Sequence, residues 1–154
     1  MKAKATSPNT AKRPPRPRAA QTHEIRIIGG LWKRTKLKVA DKPGLRPTPD
    51  RVRETVFNWL GQDLSGLRCL DAFAGTGALG FEAASRGAQE VQLVEQDGAL
   101  VEQLKKTQAQ LQASAVHVVR GDGVSAIRQA APGSLDVIFI DPPYAFETEA
   151  CNQL

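Results

Sequence analysis

From Leu67 onward, apolar residues come in short unbroken runs separated by stretches of helical periodicity. Runs such as VIFI lack polar alternation and suit strands covered on both faces of a parallel sheet. The pattern predicts strands at 68–73, 90–95, 116–120 and 135–140, and helices at 77–87, 98–113 and 123–131. Gly87 ends the first of these helices and Pro132-Gly133 the last. Strand and helix alternating in this order predict an α/β, doubly wound, Rossmann-like sheet.

The front of the chain reads differently. Ile25 to Val39 holds Gly29-Gly30 between two β-prone runs, which predicts a hairpin or sharp turn. PGLRPTPDRVRETVFNWL, residues 43–60, begins as a loop and becomes a helix. Thr48 is placed to cap it, Pro49 fits the first helical position, and Asp50 suits the positive end. Val52, Val56, Trp59 and Leu60 recur at helical spacing and predict its buried stripe, which leaves Arg46, Arg51 and Arg53 facing a ligand or water. Residues 1–22 carry Pro8, Pro14, Pro15 and Pro17 among basic and small residues, so this tail cannot bury enough apolar surface to fold. It either touches phosphates or solubilises the chain. Three parts result: a disordered basic tail (1–22), a hairpin-and-helix extension facing RNA (23–61), and the main domain (62–154).

Composition sharpens this picture. An apolar share of 41% suffices for a core, and no run is long enough to span a membrane. The N-terminus has no apolar signal-peptide core. Cys69 and Cys151 show no metal-ligand spacing and read as two reduced thiols of a cytoplasmic protein without a metal. The net charge of +5 is uneven: residues 1–60 carry +11 and residues 61–154 carry −6. Positive charge ahead of an acidic domain suits a polyanionic partner. Trp32 stands beside Lys33, Arg34, Lys36 and Lys38, a basic surface with an aromatic for an unstacked base, to which Arg26 is added. A Trp packed on the main domain with its basic neighbours in water is the alternative.

The candidate chemistry starts at LDAFAGTGALG, residues 70–80. Gly75-x-Gly77-x-x-Gly80 between a strand and a helix brings backbone N–H groups near a ligand. The motif allows a dinucleotide or S-adenosylmethionine. Asp71, at the strand end, would repel a pyrophosphate but attract an α-ammonium and a sulfonium. Glu95, twenty residues after Gly75, can accept from two ribose hydroxyls. Asp122 in RGDG either approaches an adenine amino group or caps a helix. Phe73, Thr76, Gln96 and Gly123 flank these positions as further cofactor contacts.

Asp141-Pro142-Pro143-Tyr144 follows a hydrophobic strand. An exocyclic amino group is a poor nucleophile because its lone pair is delocalised into the ring. A carboxylate and a backbone carbonyl held rigid by proline can accept its N–H bonds and aim its lone pair at a methyl group. Tyr144 can stack on the base.

DAFAGTGALG, LVEQD and DPPY in this order resemble class I S-adenosylmethionine-dependent methyltransferases acting on amino groups. With RIIGG and GLRPTPDRVRETVFNWL ahead of them, residues 24–146 are similar to the bacterial 16S ribosomal RNA guanine-N2 methyltransferases of the RsmD type. The resemblance implies a seven-stranded fold of strand order 3-2-1-4-5-7-6. It implies cofactor contacts at Asp71, Gly75, Gly77, Glu95 and Asp122, and base contacts at Asp141, Pro142 and Tyr144. It also implies that Arg46, Thr48, Asp50 and Arg51 lie beside the active site, and that the partner is ribosomal RNA or a small-subunit assembly intermediate. DPPY alone also allows adenine or cytosine amino groups in DNA or RNA. A nicotinamide-dependent oxidoreductase is disfavoured by Asp71 and DPPY, and a non-catalytic RNA-binding remnant is the third reading. Only ten residues follow Tyr144, so the family's last strands are absent and the chain reads as a C-terminally truncated form or one that needs a partner. A sheet left with an apolar edge predicts aggregation and little activity.

Overall fold

The computed structural model describes residues 23–39, 45 and 48–143. Strands β1 (His23–Arg26) and β2 (Lys36–Val39) come first, followed by helix α1 (Asp50–Leu60). Strand and helix then alternate: β3 (Arg68–Asp71), α2 (Ala78–Ser85), β4 (Glu90–Glu95), α3 (Gly98–Leu111), β5 (Val116–Arg120), α4 (Gly123–Gln129) and β6 (Val137–Phe139). Each expected strand and helix of the main domain is present; β4 and β5 have the expected bounds, and the other elements are somewhat shorter.

β3 to β6 form a parallel sheet in the order β5-β4-β3-β6. This corresponds to the first four strands of the order implied by the resemblance, 3-2-1-4. The chain runs outward from β3 through β4 to β5, then returns to place β6 on the other side of β3. The order therefore reverses beside β3, and a crevice opens beyond the carboxyl ends of the strands there. Register aligns those ends: Asp71 pairs with Leu93 on β4 and Phe139 on β6, and Glu95 pairs with Arg120 on β5. Among the described residues, β6 stands at the sheet edge, with Ile138 and Ile140 half exposed.

β1 and β2 pair antiparallel, with Arg26 opposite Lys36, as the glycine pair suggests. Ile25, Ile27, Leu37 and Val39 of this hairpin share one buried cluster with Phe57 of α1 and Leu93 of β4. Helix α2 lies between hairpin and sheet, and all eight of its residues are buried. The fit at Gly30 is close. Its φ is +81°, and a Cβ there would stand 2.0 Å from the Ser85 carbonyl oxygen. That carbonyl accepts from the Leu31 N–H at 2.7 Å, and the Ser85 hydroxyl donates to the Gly29 carbonyl at 2.6 Å.

Helix α1 departs from expectation in two ways. Its buried side chains are Arg53 and Phe57, whereas Trp59 is 84% exposed and Val52 is 49% exposed. The physical reason is Glu82, wholly buried on α2 and in need of cationic partners. Arg53 Nη1 reaches it at 3.5 Å and also donates to the Arg26 carbonyl at 2.9 Å. Arg86 Nη2 lies 3.0 Å from Glu82, and the Arg86 guanidinium covers the Phe57 ring at 4.9 Å. Phe57 meets Phe139 at 5.8 Å between ring centroids. Glu82 further accepts from the backbone N–H groups of Ile28 and Gly29, each at 2.9 Å. Arg53 and Phe57 thus face inward, and of the expected stripe Val56 and Leu60 are partly buried against the core whereas Val52 and Trp59 are not. The second departure is the helix start. Pro49 occupies the N-cap position without a side-chain cap, and the Thr48 hydroxyl is turned elsewhere, onto Asp141.

Candidate active site

The crevice beside β3 is a cleft of about 1130 Å³. Its floor is the turn from β3 into α2. Gly77 has φ +81°, and a Cβ there would come within 2.6 Å of the Phe81 ring, so the turn requires glycine at that point. Gly75 N–H donates to Glu95 Oε2 at 2.9 Å, and Asp97 N–H donates to Glu95 Oε1 at 3.2 Å. The glycine loop and the end of β4 are therefore locked together. Each carboxylate oxygen of Glu95 keeps a second lone pair for a ligand hydroxyl.

Asp71 is the most perturbed group of the cleft. It is 1% exposed; its Oδ2 accepts from the Gly80 N–H at 3.2 Å, and its Oδ1 has no hydrogen-bond partner among the described residues. Burial pushes its carboxyl up to about 7. The N–H groups of Gly80 and Phe73 oppose this, while the charges of Asp141 and Glu95 add to it. A buried acceptor without a donor is costly unless a ligand supplies one.

Asp141 also lines the cleft, two residues past β6 and thus beside the end of β3, and its Oδ2 accepts from the Thr48 hydroxyl at 2.8 Å. Pro142 lines the same wall. Of the expected cofactor contacts, Asp71, Phe73, Gly75, Thr76, Glu95, Gln96 and Gly123 all line the cleft. Gly77 shapes the turn from behind. Asp122 caps α4, its carboxylate accepting from Ser125 N–H at 3.1 Å and the Ser125 hydroxyl at 2.8 Å. The Ser125 hydroxyl is the main reason its pKa is lowered. Its other oxygen is 3.4 Å from Gln96 Nε2, which lines the cleft.

On the front surface, Arg26, Lys33, Arg34 and Arg51 are exposed. Trp32 is half-buried against the core, and its backbone N–H donates to the Ser85 hydroxyl at 3.0 Å. Arg46 and Tyr144 lie outside the described residues. Among the described residues, no His, Cys, Asp and Glu cluster could hold a metal ion, and no helix is long and apolar enough to cross a membrane.

Leu45, Val52 and Val56 also line the cleft, which sequence reasoning did not foresee for them. The available signal was spacing: Val52 and Val56 lie one turn apart on one face of α1, and Thr48 stands just ahead of that helix, so a Thr48 beside the site brings the first turns of α1 with it.

Comparison with known proteins places this cleft in a family. A family model described as conserved hypothetical protein 95 matches residues 25–154. The chain is 47% identical over 129 residues to ribosomal RNA small subunit methyltransferase D of Escherichia coli strain K12, covering 84% of this chain and 65% of that protein. It is 45% identical over 126 residues to the protein of the same name in Haemophilus influenzae, covering 80% and 65%. Among solved structures, the putative methyltransferase yhhF from Escherichia coli superimposes with a TM-score of 0.70 at 46% identity, covering 79% of this chain and 65% of that one. The chain thus spans just under two thirds of the length of these relatives. Its sheet is that of the class I methyltransferases, and the chain belongs to the conserved hypothetical protein 95 family.

Proposed function

We propose that the protein is an S-adenosylmethionine-dependent methyltransferase that modifies the exocyclic amino group of a guanine in 16S ribosomal RNA. The observation that carries this reading is the gathering, in one cleft at the carboxyl ends of adjacent strands, of Asp71, Glu95, Asp141 and Pro142. The names of the relatives, ribosomal RNA small subunit methyltransferase D, support ribosomal RNA as the substrate.

The cofactor fits the residues present. Asp71 Oδ1, buried and without a donor, would receive the α-ammonium. Glu95, with lone pairs to spare, would receive the ribose hydroxyls, while Phe73, Gln96 and Gly123 would flank the nucleoside. When bound, S-adenosylmethionine supplies an electrophilic methyl group on a sulfonium. The chain's own task is to present the amine. Asp141 and the Pro142 carbonyl accept the two N–H bonds of the amino group, which draws its lone pair out of conjugation and points it across the cleft. Proline at 142 and 143 holds that carbonyl in place. Arg26, Lys33, Arg34, Arg46 and Arg51 neutralise phosphates around the site, with Trp32 and Thr48 beside them and Tyr144 against the base.

The test is methyl transfer from labelled cofactor to small-subunit RNA lacking modifications, followed by nucleoside analysis. N2-methylguanosine supports the reading. A methylated adenine or cytosine would move the target to those amino groups, and no cofactor binding by calorimetry would refute the whole assignment.

A further inference from the structure

The Thr48 hydroxyl is committed to one partner. It donates to Asp141 Oδ2 at 2.8 Å, across 93 positions of sequence. The residue stands two places ahead of α1, at a point where local rules assign it to capping the helix, yet the cap is unmade. The helix itself cannot drift. Arg53, one turn further on and fully buried, ties α1 to Glu82 at 3.5 Å and to the Arg26 carbonyl at 2.9 Å, and Asp50 pairs with the same guanidinium. Thr48 is thus delivered to the cleft by a rigid element, whereas Asp141 lies on an exposed segment past the end of β6.

We propose that Thr48 is a positioning residue for Asp141: it holds the carboxylate in one rotamer, leaving Oδ1 directed to the target amine. This rests on the reading of Asp141 as the acceptor of the amine N–H. A carboxylate able to turn would present either oxygen at varying distance, and misplacement of an acceptor costs turnover more than binding. Thr48 acts through Asp141 and not by touching phosphate, so its loss changes chemistry and leaves both cofactor affinity and the salt dependence of RNA binding in place.

Thr48→Val removes the hydroxyl and keeps the shape; Thr48→Ser restores the donor. Two independent readouts apply. In the first, the side-chain carboxyl carbon resonance of Asp141 is followed by NMR in isotope-labelled protein and assigned with Asp141→Asn. It should move in Thr48→Val and return in Thr48→Ser. In the second, single-turnover methyl transfer should fall roughly tenfold to a hundredfold in Thr48→Val, the kinetic equivalent of one hydrogen bond to a charged group. Cofactor Kd should be unchanged and Thr48→Ser should recover the rate. In an Asp141→Ala background, Thr48→Val should have no further effect. An unmoved resonance, or rate losses that add in the double variant, would overturn the proposal. A wild-type protein that binds cofactor but methylates no RNA would refute the functional reading instead, and the resonance would still decide whether Thr48 holds Asp141.

Discussion

Asp71 combines two demands that pull in opposite directions, and Asp71→Asn separates them. In the folded protein its carboxyl is raised from 3.8 to about 7. Between these values the folded chain holds a proton that the unfolded chain has lost. Stability therefore falls as pH rises from about 4 to about 7, by roughly 1.4 kcal/mol per unit, and levels off above. The full penalty at pH 8 is about 4 kcal/mol, and no solvent screening reduces it because the group is buried. Asparagine, like the protonated acid, keeps an acceptor for the Gly80 N–H and carries no charge; the anion's stronger bond to that N–H is already contained in the value of about 7. Without cofactor, Asp71→Asn should thus be more stable than wild type by about 4 kcal/mol at pH 8, raising Tm by roughly 8–16 °C. At pH 4 the advantage should vanish. Urea denaturation of both proteins across this range measures the difference, which cancels the depressed carboxyls of Asp122 and Asp136. The same variant should bind S-adenosylmethionine far more weakly. Wild-type affinity should rise with pH below 7, by up to tenfold per unit, since an ammonium at Oδ1 requires the ionised form. A stability difference independent of pH, or unchanged cofactor affinity, would refute the reasoning.

Glu95→Ala should weaken cofactor binding by roughly tenfold to a hundredfold, since it removes the ribose acceptor and frees the Gly75 N–H it holds at 2.9 Å; calorimetry with unchanged affinity would take Glu95 out of the site. Glu82→Ala leaves the buried guanidinium groups of Arg53 and Arg86 without their counter-ion, and should cost about 3–5 kcal/mol in urea denaturation. If Lys33, Arg34 and Arg51 touch phosphates, neutralising each should reduce the log–log salt slope of RNA affinity by roughly one. An intact slope would leave them as a solvated face.

The sheet was legible in the sequence because a parallel strand buried on both faces leaves an unbroken apolar run, and because Gly77 meets a local need that few other residues satisfy. The candidate site residues of the glycine loop and of LVEQ follow from that same frame, since the register brings strand ends together. Helix α1 was misread for a reason of distance. Periodicity assigns an arginine to water, and only Glu82, 29 positions later, turns Arg53 inward. Val52 lines the cleft, and Val56 both lines it and packs against the core; a cleft wall and a core face show the same spacing. Thr48 obeys a local capping rule on paper, and a partner 93 positions away outweighs it. For Arg53 and Thr48 the missing information was the identity of a polar partner distant in sequence.

Glu82 also governs the order in which the protein can be made. The Ile28 and Gly29 amides that it accepts lie 54 and 53 positions ahead of it. Synthesis runs from the N-terminus at about 5–20 residues per second, so the hairpin leaves the ribosome roughly 3–10 s before its anchor exists. During that interval β1 and β2 are an isolated two-stranded ribbon, which is marginal in water, with Ile25, Ile27 and Leu37 uncovered. Folding of the front segment therefore waits for α2, and the nascent chain passes through a stage in which its basic hairpin is unanchored while still attached to the particle that made it.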